Sequence, residues 1–131
     1  MSRKSSTHLS MRVCFADGRH IDDSKISLLE AIRTHGSMLA AAKAISMSYR
    51  HAWLLMDELD RMFEQKVIIT HPGRRGAGTE VTAFGERLIA LYRAMEQRAN
   101  RSNKATLDEI TAALSVPSEQ DEEPEARVQA G

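Results

Sequence analysis

From residue 11 onward the apolar positions form a succession of short periodic runs, separated by Gly, Ser and Asp punctuation. Met11-Arg12-Val13-Cys14-Phe15-Ala16 alternates with period two in its first half, which predicts a short strand carrying Met11, Val13 and Phe15 on one face and ended by Asp17-Gly18. Asp22-Asp23-Ser24 supplies capping oxygens ahead of Ile26, Leu28, Leu29 and Ile32, whose spacing predicts an amphipathic helix stopped near His35-Gly36. Ser37 is the next cap, before an Ala-rich helix from Met38 to Ile45 in which Ala41 or Ala42 faces the helix that follows. Ser46-Met47-Ser48 makes the turn and Ser48 caps again. Ala52, Met56, Leu59 and Phe63 then repeat at helical intervals as a buried stripe, leaving Tyr49, Arg50, Trp53, Leu54 and Asp57 nearer the open side.

Val67-Ile68-Ile69 is β-branched, and after a Gly/Arg-rich stretch containing Arg74 and Arg75 the chain returns through Thr79-Glu80-Val81-Thr82, so a hairpin is expected. Thr82 can cap a long helix with Phe84, Leu88, Leu91, Tyr92, Met95 and Ala99 along one side. Core packing explains the first two turns of that stripe. The small body of the domain leaves the rest to a second copy, so Leu88, Leu91, Tyr92 and Met95 are the expected dimerisation residues. Arg87, Arg93, Arg98, Arg101 and Lys104 read as its solvated face. Thr106 to Leu114 permits another short helix.

The order of these elements predicts a mainly α fold with a small β-hairpin: a winged helix-turn-helix with a long C-terminal dimerisation helix. It occupies residues 11–100, between a polar, disordered tail at 1–10 and an acidic, largely disordered tail at 101–131. Charge sharpens this picture. The formal net charge of zero conceals 17 Lys/Arg against 11 Asp/Glu in residues 1–104, and 1 against 7 in residues 105–131. A basic folded part suits a polyanion, and double-stranded DNA is the polyanion this element order serves.

Candidate chemistry is sparse. Cys14 is the only cysteine, so no intramolecular disulfide forms and a cytoplasmic protein is expected; no apolar run has the length of a signal peptide or a membrane span. The histidines are scattered, and none has a partner at metal-ligand spacing, so neither metal nor cofactor is expected. Gly73-Arg74-Arg75-Gly76-Ala77-Gly78 lacks the Lys-Ser/Thr ending of a phosphate loop. Asp57, Glu58, Asp60 and Glu64 crowd one helix without a nucleophile or base to work with, so no enzyme is expected.

For DNA binding, Arg50 sits in the first turn of the recognition helix, where a guanidinium can pair with guanine O6 and N7 or hold a phosphate. Tyr49 and Ser48 can donate to phosphates or base edges, Ser48 also serving as a cap, and Ser37 stands at a helix start facing phosphate. Trp53 either packs under the wing or touches a sugar and a thymine methyl. Arg74 and Arg75 read as a wing tip on the minor groove or phosphates, or as an ordinary charged turn.

The residues Leu28-Leu29-Glu30-Ala31-Ile32, His35-Gly36-Ser37, Ala41-Ala42, Ser48-Tyr49, Ala52-Trp53 and Leu59 resemble the N-terminal DNA-binding domain of the molybdate-responsive ModE regulators, and more distantly the LysR-type winged helix. The resemblance continues through the Gly/Arg tip and Thr82-x-x-Gly85-x-Arg87-Leu88-Ile89, covering roughly residues 11 to 98. It implies a homodimeric transcription regulator with its recognition helix in the major groove and its wing beside the phosphates. Regulators of that type continue into β-rich molybdate-binding domains. The sequence after Asn100 has neither the length nor the β-pattern for one, so molybdate binding is not expected of this chain alone. The competing expectation is a protein-protein interaction module on a winged-helix scaffold.

Overall fold

The structure, a computed structural model, describes residues 6–72 and 78–117. The first element is a hairpin: β1 (Arg12–Cys14) pairs antiparallel with β2 (His20–Asp22), Val13 lying opposite Ile21. Sequence reading found one strand here. β2 escaped it because Ile21 is its single apolar residue, flanked by His20 and Asp22, and three residues are too few to show a period. Met11 and Val13 pack on the core, whereas Phe15 stays 37% exposed and meets Phe63 edge-on with centroids 6.5 Å apart.

Asp22 then caps α1 (Asp23–His35), accepting from the Lys25 amide, and Gly36 closes it in the left-handed conformation at φ 78°, where a side chain would be strained. The Gly36 carbonyl accepts from the Thr79 amide at 3.0 Å, which ties the end of α1 to the wing. Ser37 caps α2 (Met38–Ala44), its hydroxyl oxygen accepting from the Ala40 amide. At the helix-turn-helix corner Ser46 takes φ 57°, and the Met47 amide donates back to the Ala42 carbonyl at 2.9 Å. Ser48 caps α3 (Tyr49–Met62) by accepting from the His51 amide at 3.0 Å.

Ile26, Leu28, Leu29 and Ile32 of α1, Ala41 and Ala42 of α2, and Ala52, Met56 and Leu59 of α3 are buried together. The small alanines let α2 close on its neighbours, as their spacing anticipates. Phe63 falls just past α3 as its C-cap residue and is half-buried, with its ring 5.2 Å from that of Phe84.

The wing is β3 (Ile68–Thr70) paired antiparallel with β4 (Thr79–Val81), Ile69 opposite Glu80. Its tip, with Arg74 and Arg75, lies outside the described residues. Thr82 joins the wing to α4 (Ala83–Ser102): its hydroxyl donates to the Lys66 carbonyl at 2.6 Å while the oxygen accepts from the Gly85 amide at 3.0 Å. Gly85 must lack a side chain, since a Cβ there would stand 2.5 Å from the Val67 carbonyl oxygen and 2.6 Å from Val81 Cγ1. α5 (Lys104–Ala112) follows, two residues ahead of the short helix expected from the sequence, and buries no residue. The chain divides into a compact unit from Leu9 to Ala99 and a second formed by its two ends. Residues 118–131, the end of the acidic tail, lie outside the described residues.

Two expectations for α4 need correction. Tyr92 is fully buried within its own chain and its hydroxyl donates to the Met11 carbonyl at 2.7 Å, while Leu88 is 7% exposed. Met11, just ahead of β1, meets Tyr92, and only Leu91 and Met95 of the expected dimer stripe remain open, at 45% and 37% exposure. Arg93, read as solvated, is instead folded in: Nε and Nη2 donate to the two oxygens of Glu30 at 3.0 and 2.8 Å, and Nη1 donates to Asp23 at 2.9 Å and Glu96 at 2.8 Å. These hydrogen bonds, Glu30 foremost and then Asp23 and Glu96, raise its pKa against the opposing cost of burial, so the guanidinium stays charged. Burial first, then the Glu96 and Asp23 carboxylates, push the Tyr92 phenol up to about 12.

Candidate nucleic-acid interface

One face of α3 carries the open residues anticipated from the sequence. Tyr49, Arg50, Trp53, Leu54 and Asp57 line a shallow surface at steps of one, three, one and three, the spacing of a single helical stripe. Opposite them, Ala52, Met56 and Leu59 are at 0% exposure and hold the helix on α1 and α2. The Tyr49 and Trp53 rings meet edge-on, 6.2 Å between centroids and 88° between planes. Trp53 is half-buried and also borders a groove with Met56, Asp57, Asp60, Lys66, Ile68, Ile69 and Thr70. Trp53 thus borders both the wing-side groove and the open face of α3.

Charge on α3 is sorted by position. Asp57 pairs with Arg61 at 3.0 Å, Glu58 with Lys25 at 3.7 Å, and Asp60 with Lys66 at 2.8 Å. Asp60 also accepts from the Val67 amide at 2.7 Å, fixing where the wing begins. Each of these carboxylates thus faces a cation, and Asp60 is the one of the three that is mostly buried. Arg50 is exposed and forms no ion pair or hydrogen bond among the described residues, leaving its guanidinium available at the helix start, where the amide dipoles already favour an anion.

Ser37 and Ser48 both spend an oxygen lone pair on a cap, yet each hydroxyl hydrogen is uncommitted in these bonds and can donate outward. The structure thus brings Ser48, Tyr49, Arg50 and Trp53 onto one helix and places Ser37 at the start of the preceding one; Arg74 and Arg75 fall among the undescribed residues. Among the described residues no group of three His, Cys, Asp or Glu is arranged to hold a metal, and no helix is long and apolar enough to cross a membrane.

Two residues that contact α3 were not legible in the sequence. Lys25 is 2% exposed, with Nζ donating to the His20 carbonyl at 2.9 Å and facing Glu58 of α3. Arg19 donates to the Met62 carbonyl at 3.0 Å, placing a cation at the C-terminal end of α3 where the helix dipole is negative, and Asp17 holds its guanidinium. The side-chain hydrogen bond from Arg19 lowers the Asp17 pKa. No periodicity signals such contacts; the Arg19 bond joins the hairpin turn to the end of a helix more than forty residues further along the chain.

A helix-turn-helix whose second helix presents an open, cationic first turn, flanked by a two-stranded wing, defines a winged helix-turn-helix domain. The solved CbnR_DBD–DNA complex shares this fold, with a TM-score of 0.51 and 24% identity over 63% of this chain and 91% of that one. In sequence the chain is similar to ModE proteins. It is 37% identical over 98 residues to the molybdenum transport protein ModE of Azotobacter vinelandii, covering 72% of this chain and 36% of that protein. It is also 37% identical over 82 residues to the molybdenum-pterin-binding protein MopA of Rhodobacter capsulatus, 62% of this chain and 31% of that protein. With the DNA-binding transcriptional dual regulator ModE of Escherichia coli K12 it shares 36% identity over 77 residues, 58% and 29% of the two chains. The chain thus spans about a third of the length of these relatives. It matches no protein-family model.

Proposed function

We propose that the chain is a sequence-specific, non-catalytic DNA-binding transcription regulator of the cytoplasm, acting through the open face of α3 and the wing. The observation that carries this reading is the state of α3: its acidic side chains are tied to Arg61, Lys25 and Lys66, while Arg50 is left open beside Tyr49 and Trp53. A helix that neutralises its own carboxylates and keeps a cation free at its first turn suits a polyanion. Relatives named as transcriptional regulators, and a fold neighbour solved with DNA, support the same reading.

In this reading Tyr49, Arg50 and Trp53 face the major groove, and Ser37 and Ser48 donate to phosphates from helix starts. Arg74 and Arg75 supply the wing contacts. Leu91 and Met95, four residues apart on α4, pair with a second copy so that two recognition helices address a two-fold site. The reading assigns no molybdate site to the described residues.

A salt titration separates the two kinds of cation. Replacing Arg74 and Arg75 by Ala weakens binding to every duplex and flattens the log-log salt slope by up to about two units. Arg50→Ala relaxes sequence preference instead. An unchanged slope in the first variant, or unchanged preference in the second, contradicts the assigned roles. Sedimentation of Leu91→Glu/Met95→Glu tests the pairing: the unaltered chain runs as a dimer and the variant as a monomer, whereas two dimers would place the contact elsewhere.

A further inference from the structure

The open face of α3 is apolar to a degree that phosphate binding does not explain. Leu54 is 59% exposed and Tyr49 49% exposed, with Trp53 between them on the same stripe. Arg50 is the one cation on that stripe, and Asp57 is turned to Arg61. Leu54 neither joins the buried core nor packs as a partial member of it, although its neighbours Trp53 and Leu55 do. A leucine so exposed on the second turn of a recognition helix forgoes much of the stabilisation that burial of its side chain supplies. That cost is recovered where an apolar partner meets it.

The major groove offers one apolar group, the C5 methyl of a pyrimidine, carried by thymine and by 5-methylcytosine. Everything else on its floor is a hydrogen-bond donor or acceptor, against which a leucine is indifferent or unfavourable. We propose that Leu54, backed by the Tyr49–Trp53 ring pair, reads a pyrimidine C5 methyl in the major groove and is a specificity-determining residue of this chain. The inference rests on the DNA-binding reading above and adds the chemical group that the helix selects. The edge-to-face ring pair beside Leu54 gives the methyl a preformed wall, with little side-chain freedom left to lose on binding.

The test begins with selection of a bound duplex from a randomised pool by the full chain. The enriched duplex is then remade with single thymines replaced by uracil, which removes the methyl and keeps every hydrogen-bonding group. At the contacted position the unaltered protein loses about fourfold in affinity, the equivalent of roughly 0.8 kcal/mol for one buried carbon group. Leu54→Ala binds the thymine and uracil duplexes alike. Because Leu54 lies outside the core, this variant keeps its helical circular dichroism. Placing cytosine or 5-methylcytosine at the same position separates the sources: a gain with 5-methylcytosine assigns the methyl in either base, and no gain assigns thymine alone.

If every uracil duplex binds like its parent, or if Leu54→Ala remains as methyl-sensitive as the unaltered chain, the inference fails while the DNA-binding reading stands. If the pool yields no enriched duplex, both fail together, and the apolar face belongs to a protein partner.

Discussion

Arg93 and Glu30 form a bidentate pair between α4 and α1, with Nε and Nη2 of one 3.0 and 2.8 Å from the two carboxylate oxygens of the other. Asp23 and Glu96 share the same guanidinium, and the Ser27 hydroxyl accepts from Nη2 at 3.1 Å. A single cation thus serves three carboxylates, one of them, Glu96, almost wholly buried. Arg93→Ala is expected to destabilise the domain by about 2 kcal/mol, less than the roughly 3–5 of a fully buried pair because Asp23 is half exposed. Arg93→Lys recovers only part of this, since an ammonium cannot grip both oxygens of Glu30 as a planar fork does. Urea unfolding of the two variants measures both effects; equal stability of all three proteins would show that the network is structurally idle.

Tyr92 lies beside that network and makes stability fall in alkali. Its phenol is pushed from 10.0 to about 12 in the folded state, so the fold favours the neutral form. The stabilisation is complete below pH 10 and is lost as pH rises through about 12, amounting to at most about 2–3 kcal/mol. Tyr92→Phe removes this extra slope between pH 10 and 12 and costs about 1 kcal/mol at neutral pH through loss of the bond to Met11. Parallel slopes for the two proteins over that window would contradict the account.

Gly85 offers a test of packing against propensity. In an open helix Gly→Ala gains about 1 kcal/mol, yet here the new Cβ meets backbone at the Val67 carbonyl, which cannot swing aside as a side chain can. Gly85→Ala is therefore expected to lower stability by about 1–3 kcal/mol and shift the melting temperature down by several degrees. A rise in melting temperature would mean that the wing and α4 separate easily.

Ser48 combines two roles that substitution can divide. Ser48→Ala removes the cap on His51 and costs about 1 kcal/mol of stability. Ser48→Asp keeps the cap while placing a negative charge at the start of α3, so folding is preserved and DNA affinity drops. Unchanged affinity in the aspartate variant would remove Ser48 from the interface and leave it a cap alone.

Helices α1 to α4 were legible because each starts at a capping side chain ahead of an apolar stripe: Asp22, Ser37, Ser48 and Thr82 all accept the backbone bonds their positions suggested. So was the open stripe Tyr49, Arg50, Trp53, Leu54 and Asp57, which follows from the opposite face being filled. Tertiary placement was not. Tyr92 and Arg93 were misread because periodicity does not show that Met11 will accept from the Tyr92 hydroxyl, or that Asp23 and Glu30 of α1 will meet Arg93. Lys25 and Arg19 were missed similarly, since a charged side chain carries no sign in the sequence of the carbonyl it will meet.

The central claim, selective recognition of DNA by α3 and the wing, is tested most directly by fluorescence anisotropy of the full chain against its own upstream DNA and a scrambled duplex at two salt concentrations. The account predicts tighter binding to the upstream DNA, with a steep loss of affinity for both duplexes at higher salt. Absence of binding to either duplex, or equal affinity for the two, would contradict it.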